Sequence, residues 1–203
     1  GKPFRIVYLT NVGGSYNMLG ETLRLTREVL LEVSDFRREN CPLSALTLGV
    51  KCGTSDATSG IAGNPCVGAA FDQLIRAGGT AFFSETTEII GAEDLVAKRA
   101  VNESVAKKIL SAAKHWEDKA KATGEDIRKI NPIPANIAAG ISSLEEKSLG
   151  AIAKSGTSPI QDVLKYAEMP KGSGLYFVDS WMSSLSLPLC LTACGAERLL
   201  STQ

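Results

Sequence analysis

Glu85 and Glu88 stand three residues apart, directly after a short apolar run at residues 80–83. Carboxylates paired at that spacing can ligate a divalent metal or divide the acid and base roles of a proton transfer. They serve equally well as the charged first turn of a following helix, with Glu93 shortly beyond. A second stretch, residues 51–60 (KCGTSDATSG), is richer. It offers amides at Gly53 and Gly60, hydroxyls at Thr54, Ser55, Thr58 and Ser59, the cation Lys51 and the carboxylate Asp56. Lys51 and the Gly53 amide suit a substrate carboxylate, while Ser55 and Ser59 suit substrate hydroxyls. Asn64 followed by Pro65 reads as a helix start, whose positive dipole end extends the anion site. The alternative is a glycine-rich turn whose polar residues cap the next helix. Its glycines match neither a Walker loop nor the dinucleotide fingerprint. Cys52, beside Lys51, is a candidate thiolate or soft ligand for iron, or else a small buried residue.

These residues need elements to position them. Residues 4–10, 46–50, 80–83 and 175–178 are short apolar runs that read as strands, and residues 197–200 begin another. Between them, residues 19–38, 64–76, 142–154 and 160–167 read as helices. Residues 92–122 hold one or two more, 131–140 an irregular loop, and 185–194 a short helix or turn. Strands alternating with helices predict an α/β fold: a mainly parallel, Rossmann-like sheet with helices on both faces, in three layers. Ligands of such sheets bind at the loops after the carboxyl ends of strands. That places residues 11–15, 51–60, 84–88 and 179–184 on one edge, and Lys51, Cys52, Ser55, Asp56, Ser59, Asn64, Glu85 and Glu88 in one cleft. The weakly patterned stretch 123–140 is the expected boundary between two parts. Residues 1–125 form a core with the glycine-rich site loops, and residues 126–203 a second α/β part cut short at its C-terminus. The chain opens on Gly1 and stops just after a strand begins, so a fragment, inactive in isolation, is expected.

Composition removes several classes. Lys plus Arg equals Asp plus Glu at 22 each, so the basic excess of a nucleic-acid binder is missing. No apolar run reaches the roughly 18 residues of a membrane helix. Five unevenly spaced cysteines, without a CxxC pair, argue against a disulfide framework or a structural zinc site and for a reducing cytoplasm. His115 is the single histidine, so any site needing several must find them elsewhere. It reads as a surface residue beside Trp116. The charged faces of residues 97–129 read as solvated or as a subunit contact, which leaves a homo-oligomer open.

Three segments in order, KCGTSDATSGIAGNPCVG, GGTAFFSETTEIIGAE, and LEEKSLGAIAKSG with PIQDVLKYAE, resemble the altronate/galactarate dehydratase family over roughly residues 44–180. The resemblance implies a metal-assisted lyase, often iron-dependent. It also implies a small further domain, N-terminal or on a partner subunit, and continuation beyond Gln203. Two loops depart from the sugar-acid pattern. Residues 131–143 carry Ala135 and Ala139 where glycines are usual, and residues 179–188 read DSWMSSLSLP. The family also includes sulfolactate sulfo-lyase large subunits, which expel sulfite instead of water, and the second loop keeps that branch open.

The leading expectation is β-elimination from a small hydroxy-acid anion, with dehydration of a sugar acid such as altronate or galactarate ahead of sulfolactate cleavage. A base would take the proton alpha to the carboxylate, and fixed donors or a divalent metal, Fe2+ by resemblance, would stabilise the enediolate. Glu85, Glu88, Asp56 and Lys51 are the catalytic candidates, with Cys52 and Glu85 as candidate metal ligands. A non-catalytic anion-binding or scaffold module is the competing class. A dinucleotide-dependent oxidoreductase is disfavoured because no GxGxxG follows the first run.

Overall fold

The computed structural model describes residues 3–202, which fall into two compact units, one up to Cys41 and one from Pro42 onward. The first holds the short helix α1 (Leu9–Val12) and the longer α2 (Ser15–Ser34). Gly13, in a left-handed conformation that favours glycine, ends α1. Along α2, Arg24 bonds both Glu21 (2.6 Å) and Glu28 at helical spacing. The strand expected over residues 4–10 is absent. Residues 3–8 adopt no regular element, and Phe4, Ile6 and Tyr8 are exposed. A strand needs a ladder partner for its backbone groups, and this segment has none among the described residues. The loop at residues 11–15 therefore follows no strand.

The second unit contains β1 (Thr47–Cys52), α3 (Asn64–Arg76), β2 (Thr80–Phe83), α4 (Glu93–Ala97), α5 (Glu103–Ala122), α6 (Ile127–Ile130), α7 (Pro134–Ala138), α8 (Leu144–Ile152), β3 (Ile160–Leu164), β4 (Gly174–Val178), α9 (Ser186–Ala193) and β5 (Arg198–Thr202). Its strands form a five-stranded, all-parallel sheet in the order β3-β4-β2-β1-β5. The expected α/β fold is present. The sheet interleaves strands from both sides of residue 125, so the units part at Cys41/Pro42 and not at the division expected there.

Alternation along the strands builds the two faces. Ala81, Phe83, Leu175 and Phe177 join Phe71 of α3 and Ile109 of α5 in one core, while Phe82, Tyr176 and Val178 join Leu187, Cys190 and Leu191 of α9 in the other. Residues 160–167, expected to be helical, begin with β3. Ile160, Val163 and Leu164 have helical spacing, but a bulge between Ile160 and Asp162 breaks the strand alternation instead. The irregular loop expected over residues 131–140 contains α7. Local signals hold elsewhere. Asn102 caps α5 by accepting from Val105 N at 3.0 Å, and Ser143 caps α8 by accepting from Glu146 N at 3.1 Å.

The chain leaves β2 toward the face covered by α5 and leaves its neighbour β4 toward the face covered by α9. Adjacent strands whose connections diverge open a crevice at their carboxyl ends, the usual ligand position in such sheets.

Candidate active site

The loops after β2 and β4 are stitched together at this crevice. Thr86 N donates to Ser180 O at 2.8 Å, the Ser84 and Ser180 hydroxyls meet at 2.6 Å, and Thr86 Oγ1 donates to Asp179 Oδ1 at 2.7 Å. Trp116 Nε1, from α5, also donates to Asp179 Oδ1 at 2.8 Å. At the first position after this serine stands Glu85, with φ 67° and ψ 68°. A left-handed backbone in a residue other than glycine costs about 1–3 kcal/mol and is characteristic of functional sites. Here it turns the strand end inward, so that Glu85 and Glu88 are both 1% exposed.

Both carboxylates meet Lys154, which is 2% exposed. Its Nζ lies 3.5 Å from Glu85 Oε2 and bonds Glu88 Oε2. Lys154 sits in the turn after α8, and that turn packs on α3 at Gly68, where a Cβ would lie 2.2 Å from Ala153 O. Cys52 closes the cluster by donating its backbone N–H to Glu85 Oε2 at 2.6 Å. The other oxygen of Glu88, Oε1, is buried without a hydrogen-bond partner.

The electrostatics follow from this burial. Desolvation, with the Glu88 charge second, pushes the Glu85 carboxyl up to about 7 against the opposing pull of Lys154. Burial alone would lower Lys154, but the Glu88 and Glu85 charges outweigh it and hold the ammonium above the ordinary lysine range. Burial and then the Glu88 charge push the Cys52 thiol up to about 12. Cys52 is therefore a buried thiol, 3.0 Å from the Ser55 hydroxyl, and the expected activation by Lys51 does not arise.

Other sequence candidates are placed differently. Lys51 pairs in register with Ser201 of β5 and lines none of the cavities beside this cluster. The Gly53 amide is spent on Thr202 O at 2.6 Å. Asp56 Oδ1 accepts from Thr58 N (2.7 Å), Ser59 N (3.0 Å) and the Thr58 hydroxyl (2.7 Å), and these bonds, the Thr58 hydroxyl first, hold its carboxyl below the usual range. The helix expected to start at Asn64 is preceded without a break by a π-helical turn, Ser59–Gly63. The free helix end thus lies near Ser59, where the Asp56 carboxylate already meets it, and Asn64 offers no dipole end to an anion. Its side-chain Nδ2 instead donates to Gly150 O at 2.9 Å, while Oδ1 is buried and unpartnered.

Two adjoining cavities open beside the cluster. One, about 290 Å³, is lined by Cys52, Thr54, Ser55, Thr87, Asn136 and Lys147 among others. The other, about 320 Å³, holds Ser55, Asp56, Ser59, Asn64 and Lys147. Glu85 and Glu88 lie behind Cys52, in neither lining. A larger cavity, about 730 Å³, runs between α5 and β3 and contains none of the sequence candidates.

Sequence reasoning passed over Lys147 and Lys154. The buried positions of α8 are Leu144, Lys147, Ser148 and Ala151, an i, i+3, i+4, i+7 series that Lys154 continues beyond the helix. A cation at the inward positions of a helical pattern was the available signal.

The iron implied by the resemblance can be tested against these donors. No group of three His, Cys, Asp or Glu able to hold a metal occurs among the described residues, and Lys154 already meets the carboxylate pair. The cluster as arranged does not fit a metal centre. Among the described residues, no helix is long and apolar enough to cross a membrane.

The chain is 38% identical over 188 residues to galactarate dehydratase (L-threo-forming) of Escherichia coli K12, covering 93% of this chain and 34% of that protein. It is 36% identical over 201 residues to (2R)-sulfolactate sulfo-lyase subunit beta of Chromohalobacter salexigens, 97% of this chain and 50% of the relative. Altronate dehydratase of Bacillus subtilis is 39% identical over 178 residues, 88% of this chain and 36% of that enzyme. The chain thus spans between a third and a half of these relatives. A family model described as D-galactarate/altronate dehydratase, C-terminal, matches residues 43–202, and the chain belongs to that family.

Proposed function

We propose that the chain is part of a lyase that performs β-elimination on a small hydroxy-acid anion, with sugar-acid dehydration as the leading reaction. The observation that carries this reading is the buried Glu85–Lys154–Glu88 cluster at the carboxyl edge of the sheet. A carboxyl poised near neutral pH can both take and return a proton, as general acid–base chemistry requires. Lys154 limits how far Glu85 rises and so keeps part of it ionised at pH 7. In this reading Glu85, which lies behind Cys52 at the cavity wall, takes the proton alpha to the substrate carboxylate when Cys52 shifts aside on binding, and Glu88 balances Lys154. The hydroxyls of Thr54, Ser55 and Thr87 face the substrate's own hydroxyls in the cavity. The divalent metal implied by resemblance enters this proposal only with ligands from outside the cluster, and no step passes through it. Protein beyond this chain, whether a further domain or a partner subunit, completes the site.

Sulfolactate cleavage is the second reading, favoured by the sulfo-lyase relative. The loop after β4 contributes Met182 to the cavity, and its Trp181 stacks on Tyr166 at 5.1 Å; on this reading Met182 is the part of the DSWMSS loop that meets the substrate. The test is turnover by the full-length protein with galactarate, altronate and sulfolactate, wild type against Glu85→Gln. A loss of about a hundredfold or more in kcat is expected. Unchanged turnover in the variant would reject Glu85 as the base, and absence of turnover on all three substrates would reject the lyase.

A further inference from the structure

We infer that Lys147 is the cation that receives the substrate carboxylate, an assignment that rests on the hydroxy-acid reading above. Lys147 is 7% exposed, yet its Nζ meets only two neutral oxygens, Asn131 Oδ1 at 2.8 Å and Asn136 Oδ1 at 3.1 Å. Among the described residues, no carboxylate forms an ion pair with it, whereas the other buried lysine, Lys154, has two. A buried charge without a counter-charge is costly, and an arriving anion removes that cost. An ammonium has three N–H donors, and the two amides use two of them.

The position fits the role. Lys147 and Ser55 line both cavities, so the ammonium stands where the two adjoin. Thr54, Ser55 and Thr87 lie on one side, and Ser59 with Asn64 on the other, a lining suited to a polyhydroxylated acid. Cys52, whose amide binds Glu85, walls the same cavity. The cradle is fixed in place: Asn136, itself 3% exposed, donates through Nδ2 to Ser55 O at 2.9 Å. Its Oδ1 also accepts from Ile133 N at 3.3 Å. Lys51, the cation expected to hold the carboxylate, lines neither cavity, and Lys154 is committed to Glu85 and Glu88.

The test uses tartrate as a probe, an unreactive hydroxy diacid, titrated calorimetrically into the full-length protein. Binding is expected to weaken about tenfold or more in Lys147→Gln. Lys147→Arg, which keeps the charge, is expected to retain most of the affinity. If Lys147→Gln does not fold, tartrate protection of Lys147 from acetic anhydride in the wild type, read by mass spectrometry, replaces it. Tartrate affinity unchanged in a folded Lys147→Gln, no tartrate binding by the wild type, or no protection overturns the assignment. Turnover with an unchanged KM in Lys147→Gln would sink the assignment and leave the lyase standing. Tartrate binding through Lys147 without turnover on any hydroxy acid would do the reverse.

Discussion

Lys154 and Glu85 are 69 residues apart in the chain and 3.5 Å apart in space, ammonium nitrogen to carboxylate oxygen. With Glu88 they place two acids and one base almost wholly out of water. Replacing Lys154 with Met keeps the length of the side chain and strands both carboxylates. Breaking a buried ion pair from one side typically costs about 3–5 kcal/mol, and that loss is expected in urea unfolding. A change below about 1 kcal/mol would mean that the carboxylates adapt by taking up a proton.

The pH dependence follows from the direction of the Glu85 shift. Its carboxyl is raised from 4.5 to about 7, so folding favours the protonated form. The stability this contributes is fully present below pH 4.5 and is lost as pH rises toward 7. Wild type should therefore lose stability relative to Glu85→Gln across that window and run parallel to it above. As a base, Glu85 must be ionised, so kcat/KM should fall as pH drops through about 7. An acid limb that persists unchanged in Glu85→Gln would assign it to another group.

How much of this was legible in the sequence depends on whether the signal was local. Thr80–Phe83 and Gly174–Val178 were readable because central parallel strands are apolar on both faces, and Glu85 and Glu88 were readable as the polar residues that follow one of them. The bulge in β3 is not written locally: Ile160, Val163 and Leu164 show a helical spacing, and only pairing with β4 makes them a strand. Asn64-Pro65 looks like a cap because the π-helical turn ahead of it carries glycines at both Gly60 and Gly63. The distant partners of Glu85 and Ser55 are Lys154, in the turn after α8, and Asn136 of α7, 69 and 81 residues away. No spacing rule links segments so distant until the sheet and the α3–α8 contact are known.

The α3 contact gives a test of how Lys154 is positioned. A Cβ on Gly68 would lie 2.2 Å from Ala153 O and 2.8 Å from Gly156 N, both backbone atoms. Gly68→Ala must displace the turn that carries Lys154, at a cost of about 1–3 kcal/mol or more. Lys154 pulls the Glu85 carboxyl down, so moving the ammonium away should shift the acid limb of kcat/KM to higher pH. A destabilised variant with an unmoved limb would show that the turn relaxes without disturbing the ion pair.

Asp56 separates a structural carboxylate from a catalytic one. It was a candidate base, but Oδ1 accepts from the Thr58 and Ser59 amides and from the Thr58 hydroxyl, which is how a residue caps the start of a helical segment. Asn serves that purpose about as well as Asp, whereas Ala does not. Asp56→Asn is therefore expected to keep both its thermal midpoint and its turnover near wild type. Asp56→Ala is expected to lose a few degrees of thermal midpoint. It should also lose some turnover, because the loop that carries Ser55 and Ser59 loosens. A base must ionise, so a catalytic Asp56 would instead make Asp56→Asn as inactive as Asp56→Ala while leaving its midpoint intact. Measuring both variants by scanning calorimetry and steady-state kinetics distinguishes the two roles, and equal loss of kcat in the two would return Asp56 to the catalytic set.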